Sequence, residues 1–260
     1  MDVAVYRAEH GGYKRSEVTR EGLEDIREYA PTLRPQNTIK TVLTAAGYKS
    51  GSEVDMMAES WEEVYDFIDT LNDMGVTAAV GTEEIDENVT DDDRIWADMI
   101  ITRDLRYDDD ELRDIWADVD PREKGEFLGY PEEEIEEYEN RRGSLFSHIK
   151  DVIASEISGE SRPEFMNAPE LSVRKGDELG IPKDEQDMFA SLLTYCMRTT
   201  EDAVEEGRKT ANTRYRSLEA TGEAYGADFT DLVPWGDFEE WYGEEESTTL
   251  ENVKEEAIEE

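Results

Sequence analysis

The stretch VDMMAESWEEVYDFIDTLNDMGVTAAV, running from Val54 to Val80, encodes a strand, a helix and a second strand in succession, and its reading decides the fold class. Val54, Met56 and Ala58 recur at the period of two expected of a half-buried strand. Ser60 and Glu63 then have the spacing of a capping box, ahead of Trp61, Val64, Tyr65, Ile68 and Leu71 at helical intervals. Gly75 is placed to end that helix, and Val76 to Val80 is an apolar run of strand length.

Upstream, Val3 to Tyr6 reads as a short strand, and Ser16 to Ala30 as a helix ended by Pro31. Asn37 to Gly47 reads as a short helix with an Asn cap, apolar Ile39, Val42, Leu43 and Ala46, and a terminal Gly, although its Thr and Val content also permits a strand. Downstream, a polar excursion from Thr82 to Arg94 precedes a strand at Met99 to Thr102 and a helix near Asp109 to Ala117. Strands alternating with helices predict an α/β fold, with a small sheet and flanking helices over residues 1–119.

After Asp120 the helix signals take over, so 120–242 is expected to be an all-helical region. Asp120, Pro121 and Glu123 are an N-cap, a first-turn proline and a capping carboxylate in order. Leu145, Phe146, Ile149, Val152 and Ile157 share a helical face beside His148, which reads as a partly buried histidine. Pro163 to Pro169 looks like a linker. Met188, Phe189, Leu192, Leu193 and Cys196 mark the most apolar helix, and Glu201 to Gly222 a long one with a narrow stripe at Val204, Ala211, Tyr215 and Leu218. Trp235, Phe238, Trp241 and Tyr242 are expected to pack the C-terminus onto the body, and 243–260 reads as an acidic flexible tail.

Asp and Glu number 68 against 27 Lys and Arg, a formal net charge of −41 over 260 residues. Charged residues make up 37%, where about 25% is ordinary. The acids spread from Asp2 to Glu260, which points to the solvent as their cause. At molar salt the screening length falls to about 3 Å, and the self-repulsion of such a surface fades. The expectation is a cytoplasmic protein of a salt-in halophile, archaeal or archaeal-viral. A nucleic-acid mimic or histone chaperone would gather its charge on one face or in a tail.

No apolar run approaches 18 residues and no charged-then-apolar leader follows Met1, so neither a membrane span nor a signal peptide is expected. A single cysteine, Cys196, excludes an internal disulfide and a thiolate zinc site. His10 and His148 leave little room for soft-metal chemistry, and no cofactor is indicated.

Basic residues are scarce, so their clustering carries information. Arg208, Lys209, Arg214 and Arg216 could hold a phosphate or carboxylate bidentately if they converge; the plainer reading is ion pairing with Glu201, Asp202, Glu205, Glu206 and Glu219 at neighbouring helical positions. Arg103 and Arg106 follow a strand end, where open α/β sheets bind ligands. Asp104, Asp55 and Glu83 lie near strand ends and would suit a two-metal phosphoester hydrolase or nuclease, although three such acids are expected by chance among 68. The leading function is therefore binding, to a protein partner or a small anionic ligand, with no catalytic motif.

Lys124-Gly125-Glu126-Phe127-Leu128-Gly129-Tyr130-Pro131 is echoed by Lys175-Gly176-Asp177-Glu178-Leu179-Gly180-Ile181-Pro182. A Gly at a helix end and a Pro opening the next helix predict two helical hairpins. Direct nucleic-acid binding is disfavoured in the first, because Glu132, Glu133, Glu134, Glu136, Glu137 and Glu139 would face phosphate. Its residues from Met99 to Tyr138, above all Gly125 to Pro131 ahead of Ile135 and Tyr138, resemble a segment of an uncharacterised archaeal protein family. Members of that family often carry paired cysteines just after the Leu-Gly-Tyr-Pro turn, where this chain has Glu133 and Glu134. The resemblance implies archaeal origin and an α/β arrangement, and no activity.

Overall fold

The computed structural model describes residues 18–80, 95–104, 107, 109–116, 120–141, 165–193 and 196–234. The expected strand at Val3 to Tyr6, the excursion at Thr82 to Arg94, the helix bearing His148, the C-terminal aromatic set and the acidic tail lie outside them. The chain divides into two compact units, Met1–Arg162 with Arg216–Leu232, and Pro163–Tyr215 with Val233–Glu260.

In the first unit, helices α1 (Arg20–Glu28) and α2 (Ala30–Ala45) precede strand β1 (Gly51–Ala58), helix α3 (Trp61–Asp73) and strands β2 (Thr77–Val80) and β3 (Ile95–Thr102). Helices α4 (Asp109–Trp116), α5 (Pro121–Leu128) and α6 (Glu132–Arg141) follow. The sheet order is β1-β3-β2, with both pairings antiparallel. The outer strands β1 and β2 are thus parallel and joined through α3, and β3 is inserted between them. That is a split βαβ unit, and the most apolar strand takes the centre. Because the sheet is antiparallel, the ligand-binding argument from strand C-termini of parallel sheets does not reach Arg103.

The Ser60 cap forms: the Glu63 N–H donates to Ser60 Oγ at 3.3 Å, while the Glu63 carboxylate reaches one residue beyond the cap and accepts from the Glu59 N–H. Gly75 closes α3 at φ 71°. Two upstream expectations change. Pro31 sits in the first turn of α2 and so opens a helix, as proline's missing N–H permits. Asn37 is no cap, since α2 has already begun. It lies past a kink at Arg34 and Pro35, and its amide donates to the Asp55 carbonyl at 2.9 Å. Lys40 Nζ donates to the Glu53 carbonyl at 3.1 Å, so α2 covers the outer edge of β1 with polar side chains.

The two faces of the sheet differ. Val54, Met56, Ala58, Ala97 and Met99 are buried, as are Leu23, Ile26, Val42, Phe67 and Leu71 of α1 to α3. On the opposite face Ala79 and Ile100 form a smaller core with Leu112 and Ile115 of α4 and Phe127 and Leu128 of α5. The Phe127 ring lies directly on Gly51, where any side chain would collide with it.

The second unit holds β4 (Phe165–Asn167), α7 (Ala168–Lys175), α8 (Lys183–Leu192) and β5 (Cys196–Arg198), followed by α9 (Glu201–Tyr225), whose residues are divided between the units. Helices dominate this half, with one addition: β4 and β5 pair as an antiparallel ribbon. The expected linker therefore contains a strand. Cys196 stands on β5 opposite Asn167, and α8 ends before it at Leu192, so the cysteine is not part of the apolar helix. Gly207 of α9 lies against Leu193, Phe189 and Met197, where a Cβ would come within 3.1 Å of each.

The echoed sequences build the same turn. Gly129 and Gly180 have φ 76° and 68°. Tyr130 N–H donates to Gly125 O at 2.9 Å and Ile181 N–H to Gly176 O at 2.8 Å, while Gly129 and Gly180 N–H reach Glu126 O and Asp177 O. Both are Schellman turns.

Candidate functional site

Of the basic residues singled out from sequence, Arg208, Lys209, Arg214 and Arg103 are engaged by the chain itself. Arg208 pairs with Glu185 and Glu205, each at 3.4 Å, and donates to the Gly180 carbonyl at 3.0 Å. Lys209 pairs with Glu206 at 3.6 Å. Arg214 Nη1 donates to Leu192 O at the end of α8, and Arg216 is exposed on α9. They are not gathered into one anion pocket: each of the first three meets an acid or a carbonyl on its own part of the helix.

Arg103 is 1% exposed and its Nη1 donates to Ala45 O at 2.8 Å, at the C-terminal end of α2. Lys49, also buried, does the same for Leu128 O at the end of α5, 2.9 Å away, beside Ser50 Oγ bound to Phe127 O. Cations belong at helix C-termini, where the unpaired carbonyls concentrate partial negative charge. Arg103 and Lys49 therefore join helices to the sheet. Arg106 lies outside the described residues.

The three nominated metal ligands are not brought together among the described residues. Asp104 is buried just past β3, with its N–H donating to Thr102 Oγ1 at 2.9 Å. Asp55 stands in mid-strand opposite Asp98, whereas Gly51 is opposite Thr102. Four residues of strand separate those pairs, about 13 Å, too far for Asp55 and Asp104 to share an ion. Glu83 lies outside the described residues, and no group of three His, Cys, Asp or Glu suited to a metal occurs among those described.

What the structure does assemble is a carboxylate pair. Asp55 and Asp98 face each other across β1 and β3 on the part of the second sheet face beyond the Ile100 core. Trp96 Nε1 donates to Asp98 Oδ1 at 2.7 Å, and Asn37 Nδ2 approaches Asp55 Oδ2 at 3.5 Å. Burial, the hydrogen bond to Asp55 and the charges of Asp55 and Glu53 push Asp98 up from 3.8 to about 6, against the Trp96 bond, which pulls it down. The Arg34 guanidinium lies over the Trp96 ring at 4.7 Å. Arg34 has φ 65° and ψ 151°, a region nearly reserved for glycine that costs a side-chain-bearing residue about 1–3 kcal/mol. The following Pro35 accounts for the extended ψ.

Asp98 was outside the strand expected from sequence. Its signal was the alternation Ile95, Ala97, Met99, Ile101, which extends β3 four residues upstream and turns Asp98 to the other face.

A second feature stands on α3. Tyr65 is 58% exposed, a large apolar side chain left in water. Trp61, one turn before it, lies beside it with ring centroids 6.1 Å apart and the planes tilted by 31°. Glu62, Asp66 and Asp69 are exposed on the same helix, while Val64, Phe67 and Leu71 face the core.

No family model, no curated protein and no solved structure matches this chain. No helix among the described residues is long and apolar enough to cross a membrane.

Proposed function

We propose that this chain acts by binding a protein partner, in a cytoplasm of concentrated salt, through the outward face of α3. The observation that carries the reading is Tyr65, exposed and paired with the Trp61 ring within an acidic helix surface. Aromatic anchors of this kind supply most of the energy of protein interfaces. The flanking carboxylates favour a partner with Arg or Lys at the point of contact, because a cation can sit on the aromatic faces. In molar salt the long-range pull of the acids is screened, which leaves the short-range aromatic contact to confer affinity. A small anionic ligand is the weaker reading, since Arg208, Lys209, Arg214 and Arg103 are already engaged.

A photo-reactive side chain placed at position 65 in cells of the natural host should yield one discrete cross-linked product, lost on Trp61→Ala. The same probe at Asp73, exposed at the end of α3, should yield none. Equal labelling from the two positions would refute the reading.

A further inference from the structure

Among the described residues many acids are exposed, but Asp55 and Asp98 are set apart by register. They form the one acid-against-acid pair in the β1 and β3 ladder; Glu53 is opposite Ile100 and Met57 opposite Trp96. Side chains directly opposed in an antiparallel pair have Cβ atoms about 4.5–5.5 Å apart, and like charges there weaken the pairing. Two carboxylates opposed in this way repel each other unless a proton is held between them, since an ionised carboxylate only accepts.

We propose that Asp55 and Asp98 bind one shared proton and that its loss loosens the pairing of β1 with β3. Each aspartate also has a donor beside it: Trp96 Nε1–H donates to Asp98 Oδ1 at 2.7 Å, and Asn37 Nδ2 lies 3.5 Å from Asp55 Oδ2. The charged groups nearby come from three elements. Glu53 on β1 pairs with Lys124 of α5 at 3.6 Å. From α2, Lys40 holds the Glu53 carbonyl and Asn37 Oδ1, and Arg34 lies on the Trp96 ring. Proton loss leaves both aspartates ionised, beside the Glu53 carboxylate, on a half-covered face.

The sign of the pH effect follows from the direction of the shift. Asp98 titrates at about 6 in the fold against an ordinary 3.8, so the folded state holds the proton more tightly than the unfolded chain. The stabilisation is complete below about 3.8 and is lost as pH rises through about 6. This behaviour is opposite to that of an acid held by a cation. It is independent of the partner reading for α3, which requires neither aspartate.

Carboxyl-carbon NMR titration of the full chain tests the site directly. The Asp98 carboxyl should inflect near 6, and the Trp96 indole N–H should shift at the same pH. Both inflections should persist in molar salt, where screening acts only beyond about 3 Å and the burial and hydrogen-bond contributions remain. In Asp55→Asn the Asp98 inflection should fall towards 3.8, and in Asp98→Asn the indole inflection should vanish. Amide exchange along β1 should quicken across pH 6 in the wild-type chain beyond the rise seen in Asp98→Asn. An Asp98 carboxyl that titrates in the ordinary range, or one unmoved by Asp55→Asn, would overturn the proposal.

Discussion

The hairpin of α5 and α6 and the hairpin of α7 and α8 share a turn and differ in what fills the angle between their helices. In the first, Gly125 lies against Ile135, with Cγ1 2.7 Å from where a Cβ would stand. In the second, Gly176 lies against the carbonyl of Ser172 and against Gln186, the residue at the position of Ile135. Gln186 is buried, and its amide donates to Asp177 Oδ1 at 2.7 Å and to Ile181 O at 3.2 Å. Its backbone carbonyl accepts from Ser172 Oγ at 2.9 Å. One hairpin is thus closed by an aliphatic contact, the other by a satisfied polar network.

Their outer supports differ as well. Phe127 and Leu128 of the first hairpin enter the sheet core, and Arg122 clamps its exposed side to Glu132 and Glu139. The corresponding residues of the second, Glu178 and Leu179, are exposed and half-buried. That hairpin is held at its turn by Arg208 and at its end by Arg214, both from α9. The lesson is that the Schellman turn sets the angle, and the side chains beside it decide whether the hairpin rests on apolar area or on hydrogen bonds.

The largest expected effect breaks the first hairpin from the sheet. Phe127→Ala removes a ring buried on Gly51 and packed edge-on to Tyr107 at 5.2 Å. It should lower unfolding free energy by about 3–5 kcal/mol in denaturant melts; a loss under about 1 kcal/mol would show that the sheet does not support this hairpin. Next come the glycines in the helix angle. Gly176→Ala meets a backbone carbonyl, which cannot step aside, and should fall at the upper end of about 1–3 kcal/mol for overpacking. Gly125→Ala meets the Ile135 side chain, which can, and should fall at the lower end.

Gln186→Leu should cost about 1–2 kcal/mol, because the Ile181 carbonyl loses its donor in a buried place. The converse change, Ile135→Gln, should be worse, since it puts an amide against Gly125 where an aliphatic side chain now packs. The finest test compares the turns themselves. Gly129→Ala and Gly180→Ala find open space around the new methyl, so each should pay only the left-handed backbone cost of about 1 kcal/mol. Unequal losses would show that the turns are not equivalent. Smallest of all should be Arg122→Ala, whose effect should vanish in molar salt, because this clamp is exposed and screened.

Most elements could be read from local pattern. The strand of Val54, Met56 and Ala58, the cap at Ser60, the closing Gly75, the Asp120 cap and both hairpins follow from periodicity and caps that act within a few residues. The ribbon of β4 and β5 was not readable, because three residues per strand are too few to display a period of two. The candidate sites were harder still. Asp55 was visible only as one acid among 68, and nothing local to it names Asp98, 43 positions later, as its partner. Arg208 and Arg214 looked available for a ligand until the fold brought Glu185, Gly180 and Leu192 to them.

The sequence by itself determined the capped ends of α3 and α5, the buried alternation of β1, the glycines that turn both hairpins, and that the chain carries a net charge of −41. These depend on backbone propensity, period and composition, all of them local or additive. Only the tertiary structure decided which acid opposes which, which cations are already taken by helix C-termini, and which aromatic is left in water. Register and burial arise from contacts between residues far apart in the chain, and it is those contacts that separate the Asp55 and Asp98 pair from the solvated acids around it.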